Sequence, residues 1–224
     1  PVAGLLRSRV QTSFVGDMDG EPSNPNIQTT LNLDGLFNKC YANFAMAGNG
    51  GANGDCDIDG IDGGTSGFVR QTFNANELTT DEAICGWGDD GIAGFCYNSY
   101  NATNPMLTGL YARITTGIAY CNQYLAEAGD QDATKLAEIR FLRAYEYFSL
   151  MDAWGNIPFT LSPLTKPERY TRAQTYEWLE KELLEIEGSL SEAKPKKSSD
   201  AGYGRVDNAA SSIIKKKIYI NAEV

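Results

Sequence analysis

Apolar positions recur with helical spacing in four stretches of the chain. Leu33, Leu36, Phe37, Cys40, Tyr41 and Phe44 fall at i, i+3, i+4, i+7, i+8 and i+11, which predicts an amphipathic helix within residues 31–48. Asn104-Pro105 is an N-cap and first-turn pair, and Leu107, Leu110, Tyr111, Ile114, Ile118, Cys121 and Leu125 make a stripe that Gly129 ends. Asp132 can cap the next helix, whose inner face reads Leu136, Ala137, Arg140, Phe141, Ala144, Tyr145, Phe148 and Met151 before Gly155 and Pro158 break it. The short link makes residues 104–154 an antiparallel helical hairpin. Thr171 and Gln174 form a capping box ahead of Leu179, Leu183 and Ile186, and Asp207 caps a last helix carrying Ala210, Ile214 and Ile218. Residues 171–222 are thus a second hairpin. Two hairpins of similar size predict a mostly α chain built of tetratricopeptide-like helical repeats.

Residues 49–103 break this rhythm. They have no steady period of 3.6 and only scraps of period 2, and they gather glycines, acids, Arg70 and Trp87. So long a segment in a compact domain is functional or disordered. Phe68, Phe73, Leu78, Ile84 and Trp87 supply the apolar groups that disordered segments lack, so the reading is an ordered, loop-rich binding region. Residues 1–30 are rich in Gly, Pro, Asn and Asp and read as irregular. The whole chain reads as one incomplete domain, because a terminal repeat without a cap would expose apolar surface.

Composition narrows the chemistry. A net charge of -10 repels phosphate backbones and removes nucleic acid as a default partner. The absence of histidine removes Ser-His-Asp and Cys-His nucleophile arrangements and most zinc sites, leaving carboxylates for any catalysis. Cys40, Cys56, Cys85, Cys96 and Cys121 form no CxxC pair and read as small buried hydrophobes; in an exported protein Cys56 pairs with Cys85 or Cys96. No apolar run reaches the roughly 20 residues that span a bilayer.

Three constellations in the loop region carry possible chemistry. Asp55, Asp57, Asp59 and Gly60 open like a calcium loop, but Ser66 stands at the twelfth position where a bidentate Glu belongs; the competing reading is a glycine-rich turn whose Asp side chains cap amides. Asp81-Glu82 and Asp89-Asp90 are acid pairs of the kind a glycosidase uses, yet nothing in the sequence buries one acid and solvates the other. Trp87 in GWGDDG has glycines on both sides that leave its ring face open, suited to stacking on a sugar ring, whereas Trp154 follows an apolar helix face and reads as packing. One alternative is a helical scaffold that binds a protein partner, with calcium held by the Asp-rich loop.

The segment AEIRFLRAYEYFSLMDAWGNIPF, residues 137–159, resembles the signature helix of SusD-like proteins, the glycan-binding surface lipoproteins of Bacteroidetes. ELTTDEA at 77–83 is similar to that family's short acidic motif, and YGR at 203–205, followed by a helix and YINAEV, to its next repeat. The loop looks most like that of the family's starch-binding prototype. The resemblance implies a non-enzymatic protein of tetratricopeptide-like repeats with a loop-rich binding face. It further implies an outer-membrane surface location through a lipid anchor outside this chain, and delivery of starch or maltooligosaccharide to a SusC-like TonB-dependent transporter. By matching position it makes Trp87 a sugar-stacking aromatic and Asp62, Arg70 and Asp90 polar sugar contacts, with Asp90 standing where the family has asparagine. No cofactor is implied; calcium enters only through the Asp55, Asp57 and Asp59 pattern.

Overall fold

A computed structural model describes residues 32–48, 56–129 and 132–220. The expectations for residues 1–30 and for Asp55 therefore lie outside the described residues. Within them the chain is mostly helical: α1 (Leu33–Ala45), α2 (Gly63–Ser66), α3 (Phe68–Glu77), α4 (Ile92–Cys96), α5 (Pro105–Glu127), α6 (Ala133–Trp154), α7 (Arg172–Ile186) and α8 (Asn208–Ile220). The one sheet among these residues is a two-stranded antiparallel ribbon, β1 (Ile157–Phe159) with β2 (Glu168–Tyr170), that bridges α6 and α7. No described helix is long and apolar enough to cross a membrane.

The caps stand where side-chain chemistry puts them. Asn104 Oδ1 accepts from Met106 N at 2.9 Å, Asp132 Oδ1 from Thr134 N at 2.9 Å, and Thr171 and Gln174 bond reciprocally at the start of α7. α5 and α6 pack as an antiparallel pair, α7 covers α6 on its other side, and α1 lies against α5. α6 is therefore central. It is buried almost all round, with Ile139, Phe141, Leu142, Ala144, Tyr147, Phe148, Leu150 and Met151 in one core. Trp154 packs edge-on against Tyr111 with ring centroids 5.3 Å apart.

The single-face reading of α6 needs correction at its basic residues. Arg140, expected inside, is partly exposed and pairs with Glu182 at 2.6 Å and Glu185 at 2.7 Å, while Arg143 is the buried one, paired with Glu182 at 3.0 Å. A helix enclosed by its neighbours must bury polar positions too; Arg143 bonds to Asn122 and Glu182, and Glu146 to Asn43, although Arg143 Nε and Glu146 Oε2 have no hydrogen-bond partner among the described residues. Arg205 of the YGR segment does the same across the repeats, meeting Glu138 at 2.8 Å and lying over the Phe37 ring.

The 49–103 region also differs from an unbroken loop, because α2, α3 and α4 lie within it. The inner face of α3 is Phe68, Gln71 and Asn74, so two amides sit where an apolar period would have an aliphatic. Asn74 donates to Gln71, and Gln71 to the Met106 sulfur at 3.1 Å. A small second core of Leu78, Ile92, Phe95 and Met106 pins α3 and α4 to the start of α5. Four such buried side chains contribute on the order of 1.5–3 kcal/mol each, which is enough to order the segment between them.

Candidate functional site

Arg70, in the first turn of α3, organises the exposed end of this region. Its Nη1 donates to the Gly64 carbonyl at 2.6 Å and its Nη2 to Asp89 Oδ2 at 2.9 Å. Its guanidinium lies over the Trp87 ring, 5.2 Å from the centroid. The Arg70–Asp89 pair is partly exposed and adds at most about 1 kcal/mol of stability, so its main effect is geometric. It fixes one face of the indole against a planar cation. The rest of the ring is open: Trp87 is 68% exposed, and a Cβ added at Gly86 or Gly88 would meet no atom within 4 Å.

Asp62 has a local task. Both of its oxygens accept from Gly64 N at 3.1 Å, capping α2 and holding the carbonyl that Arg70 reaches. Asp90 is exposed in the turn before α4. Of the four residues expected to bind sugar, the structure brings Trp87 and Arg70 into contact, joins Asp62 to them through Gly64, and leaves Asp90 at the rim. Asp89 is the partner that sequence reasoning missed; it appeared only as half of an acid pair. Asp81 and Glu82 are exposed in the turn after α3.

The platform is anchored from behind. Asn104 caps α5 and, through Nδ2, donates to the Gly91 carbonyl at 2.9 Å, which ties the turn after Asp89-Asp90 to that helix. Asn104→Ala removes both bonds. The cap alone is worth about 1 kcal/mol, so the variant should lose roughly 1–3 kcal/mol in urea denaturation. Amide exchange across residues 89–96 should rise with it; unchanged exchange would show that Asn104 does not anchor the turn. Beside Trp87 an open groove of about 460 Å³ runs between α3 and the irregular segment that follows it, lined by Val69, Arg70, Phe73, Asn74, Ala83, Ile84 and Cys85.

Of the calcium-like aspartates, Asp57 faces cations of the protein itself. Asp57 Oδ2 is 2.6 Å from Lys39 Nζ, and its Oδ1 is 2.8 Å from Arg113 Nη2. Burial pushes the Asp57 carboxyl up, but the hydrogen bonds and charges of Arg113 and Lys39 outweigh it and hold the group below its ordinary value. Asp59 is exposed. Among the described residues no cluster of three or more His, Cys, Asp or Glu could hold a metal ion. Cys56 does not lie in isolation either: its sulfur is 3.2 Å from Ser66 Oγ and 3.9 Å from Arg113 Nη2.

Comparison with known proteins follows the same outline. No family model matches the chain. It is 35% identical over 221 residues to the starch-binding protein SusD of Bacteroides thetaiotaomicron, covering 95% of this chain and 39% of that protein. A SusD superfamily protein from Bacteroides vulgatus superposes with a TM-score of 0.64 at 14% identity, over 85% of this chain and 39% of the other. A laminarin-binding SusD-like protein superposes with a TM-score of 0.58 at 22% identity, over 84% and 38%. The chain is SusD-like in sequence and in fold, and it spans about two fifths of the length of the curated relative it matches.

Proposed function

We propose that this protein binds starch-like α-glucan oligosaccharides without cleaving them, at the bacterial outer-membrane surface, and passes them to a SusC-like TonB-dependent transporter. The observation that carries the reading is the solvent-open indole of Trp87, ordered on one side by Arg70 and Asp89. A sugar ring has an apolar face that stacks on such a ring and hydroxyls that bond to the surrounding Asp and Arg groups. The similarity to a starch-binding relative favours α-glucan over the β-glucan that a more distant neighbour binds. Asp62, Arg70 and Asp90 then supply hydrogen bonds at the edge of the stacked ring.

Neither acid catalysis nor a bound cation is needed in this scheme. Asp89 is committed to Arg70, and Asp57 to Lys39 and Arg113. One stacked ring and a few exposed hydrogen bonds should hold sugar with a dissociation constant on the order of mM to tens of µM, since each contact displaces well-bonded water. Intrinsic fluorescence tests the stacking. Among the three tryptophans Trp87 is the exposed one, so maltooligosaccharide should shift the emission to the blue and saturate in that range, with laminarin oligosaccharides giving a weaker response. Calorimetric binding of maltooligosaccharide with no spectral change would sink the role given to Trp87.

A further inference from the structure

We propose that Cys85 and Cys96 are a disulfide site that clasps the Trp87-bearing segment. Cys85 lies two residues before Trp87, and Cys96 ends α4. The Cys85 N–H donates to the Cys96 sulfur at 3.5 Å, so that sulfur is already beside the residue to which it would bond. Both residues are half-buried and pack against the small core of Leu78, Ile92, Phe95 and Met106, and Cys85 also lines the open groove. A disulfide needs Cα atoms about 4.4–6.8 Å apart, and a Cys96 sulfur already at the Cys85 backbone N–H puts the two residues side by side.

The other cysteines have other neighbours. Cys40 and Cys121 are buried in the main core, and Cys56 faces Ser66 and Arg113. The segment enclosed by Cys85 and Cys96 carries Trp87, Asp89 and Asp90. Joining its ends removes open conformations in which the indole and Arg70 part.

The chemistry is exchange with a small-molecule disulfide. The thiolate of one cysteine attacks a glutathione disulfide sulfur and expels a glutathione thiolate, leaving a mixed disulfide. The second cysteine, having lost its proton to solvent, attacks the protein-bound sulfur and expels the second glutathione thiolate. Two protein thiols become one disulfide as one glutathione disulfide becomes two thiols.

The test uses the full chain exposed to glutathione disulfide, with remaining thiols then blocked by N-ethylmaleimide in denaturant. No Lys or Arg occurs from 71 to 112, so trypsin releases residues 71–113 as one peptide holding Cys85 and Cys96 and no other cysteine. The expected peptide is unblocked, two hydrogens lighter than its reduced form, and still joined after chymotryptic cleavage at Trp87. Amide exchange across residues 86–95 should slow several-fold on oxidation in the wild type and not at all in C85S/C96S. A doubly blocked peptide, two glutathione adducts, a crosslink to Cys56, or a bond that leaves exchange unchanged would each overturn the proposal. Neither readout uses a glycan, so the outcome is independent of the sugar-binding reading.

Discussion

Replacing Arg113 with methionine should destabilise the protein by roughly 3–5 kcal/mol, because it removes one partner of a buried charge pair while leaving the others behind. The side chain is 0% exposed. Its Nε donates to the Ser66 carbonyl at 2.8 Å, Nη1 to Asn43 Oδ1 at 3.2 Å, and Nη2 to the Ala47 carbonyl and Ser66 Oγ at 3.0 Å each. Its ion pair with Asp57 and the Cys56 sulfur 3.9 Å from Nη2 complete the set. One guanidinium thus holds the end of α1, the Cys56–Asp57 turn and the end of α2 together. Methionine fills most of the volume, so the loss reports on the polar contacts rather than on a cavity.

The same pair sets a pH dependence. A carboxyl held low in the fold stabilises the native state fully above the unfolded carboxylate range, and that contribution is lost as pH falls through the folded value. Arg113→Met should therefore narrow its deficit against wild type on acidification. Urea denaturation at neutral and acidic pH measures both effects. A deficit below about 1 kcal/mol at neutral pH would contradict the hub role.

Gly109→Ala should be the second most damaging change. By helix propensity alone, alanine would gain about 1 kcal/mol inside α5. A Cβ there would lie 2.0 Å from the Thr65 carbonyl oxygen, backbone that cannot swing aside. The helix and the α2 segment must separate, at a cost of about 3 kcal/mol or more, so the net sign is destabilising. The displaced segment includes the Gly64 carbonyl that anchors Arg70, so glycan binding should weaken along with stability. Thermal denaturation and a sugar titration on this variant check the two consequences; an alanine variant more stable than wild type would refute the close approach.

The long helices were legible because their signals are local. Asn104-Pro105, Asp132 and the Thr171–Gln174 box lie within four residues of the amides they satisfy. α3 was hidden because its buried face uses Gln71 and Asn74 while Val69 and Phe73 point outward, which reverses the pattern that hydrophobic periodicity detects. Arg113 was passed over for the same reason: a polar residue on an inner face looks like a gap in a stripe. Trp87 was readable from its flanking glycines. Its partnership with Arg70 and Asp89 was not, since that contact spans 19 residues, through the rest of α3 and the irregular segment after it, and depends on the α2–α3 turn. The calcium-like spacing around Asp57 cannot reveal that Lys39 and Arg113 arrive at its carboxylate from distant helices.

We propose Trp87, steadied by Arg70 and Asp89, as the sugar platform. Isothermal calorimetry of maltooligosaccharide with wild type and Trp87→Ala addresses it directly. Losing a stacking contact of about 1.5 kcal/mol or more should weaken binding at least tenfold, and a wild-type constant in the mM to tens of µM range should move out of measurable reach at its weak end. The side chain is exposed, so stability should change by less than about 0.5 kcal/mol. Unchanged affinity in a fully folded Trp87→Ala protein would contradict the account.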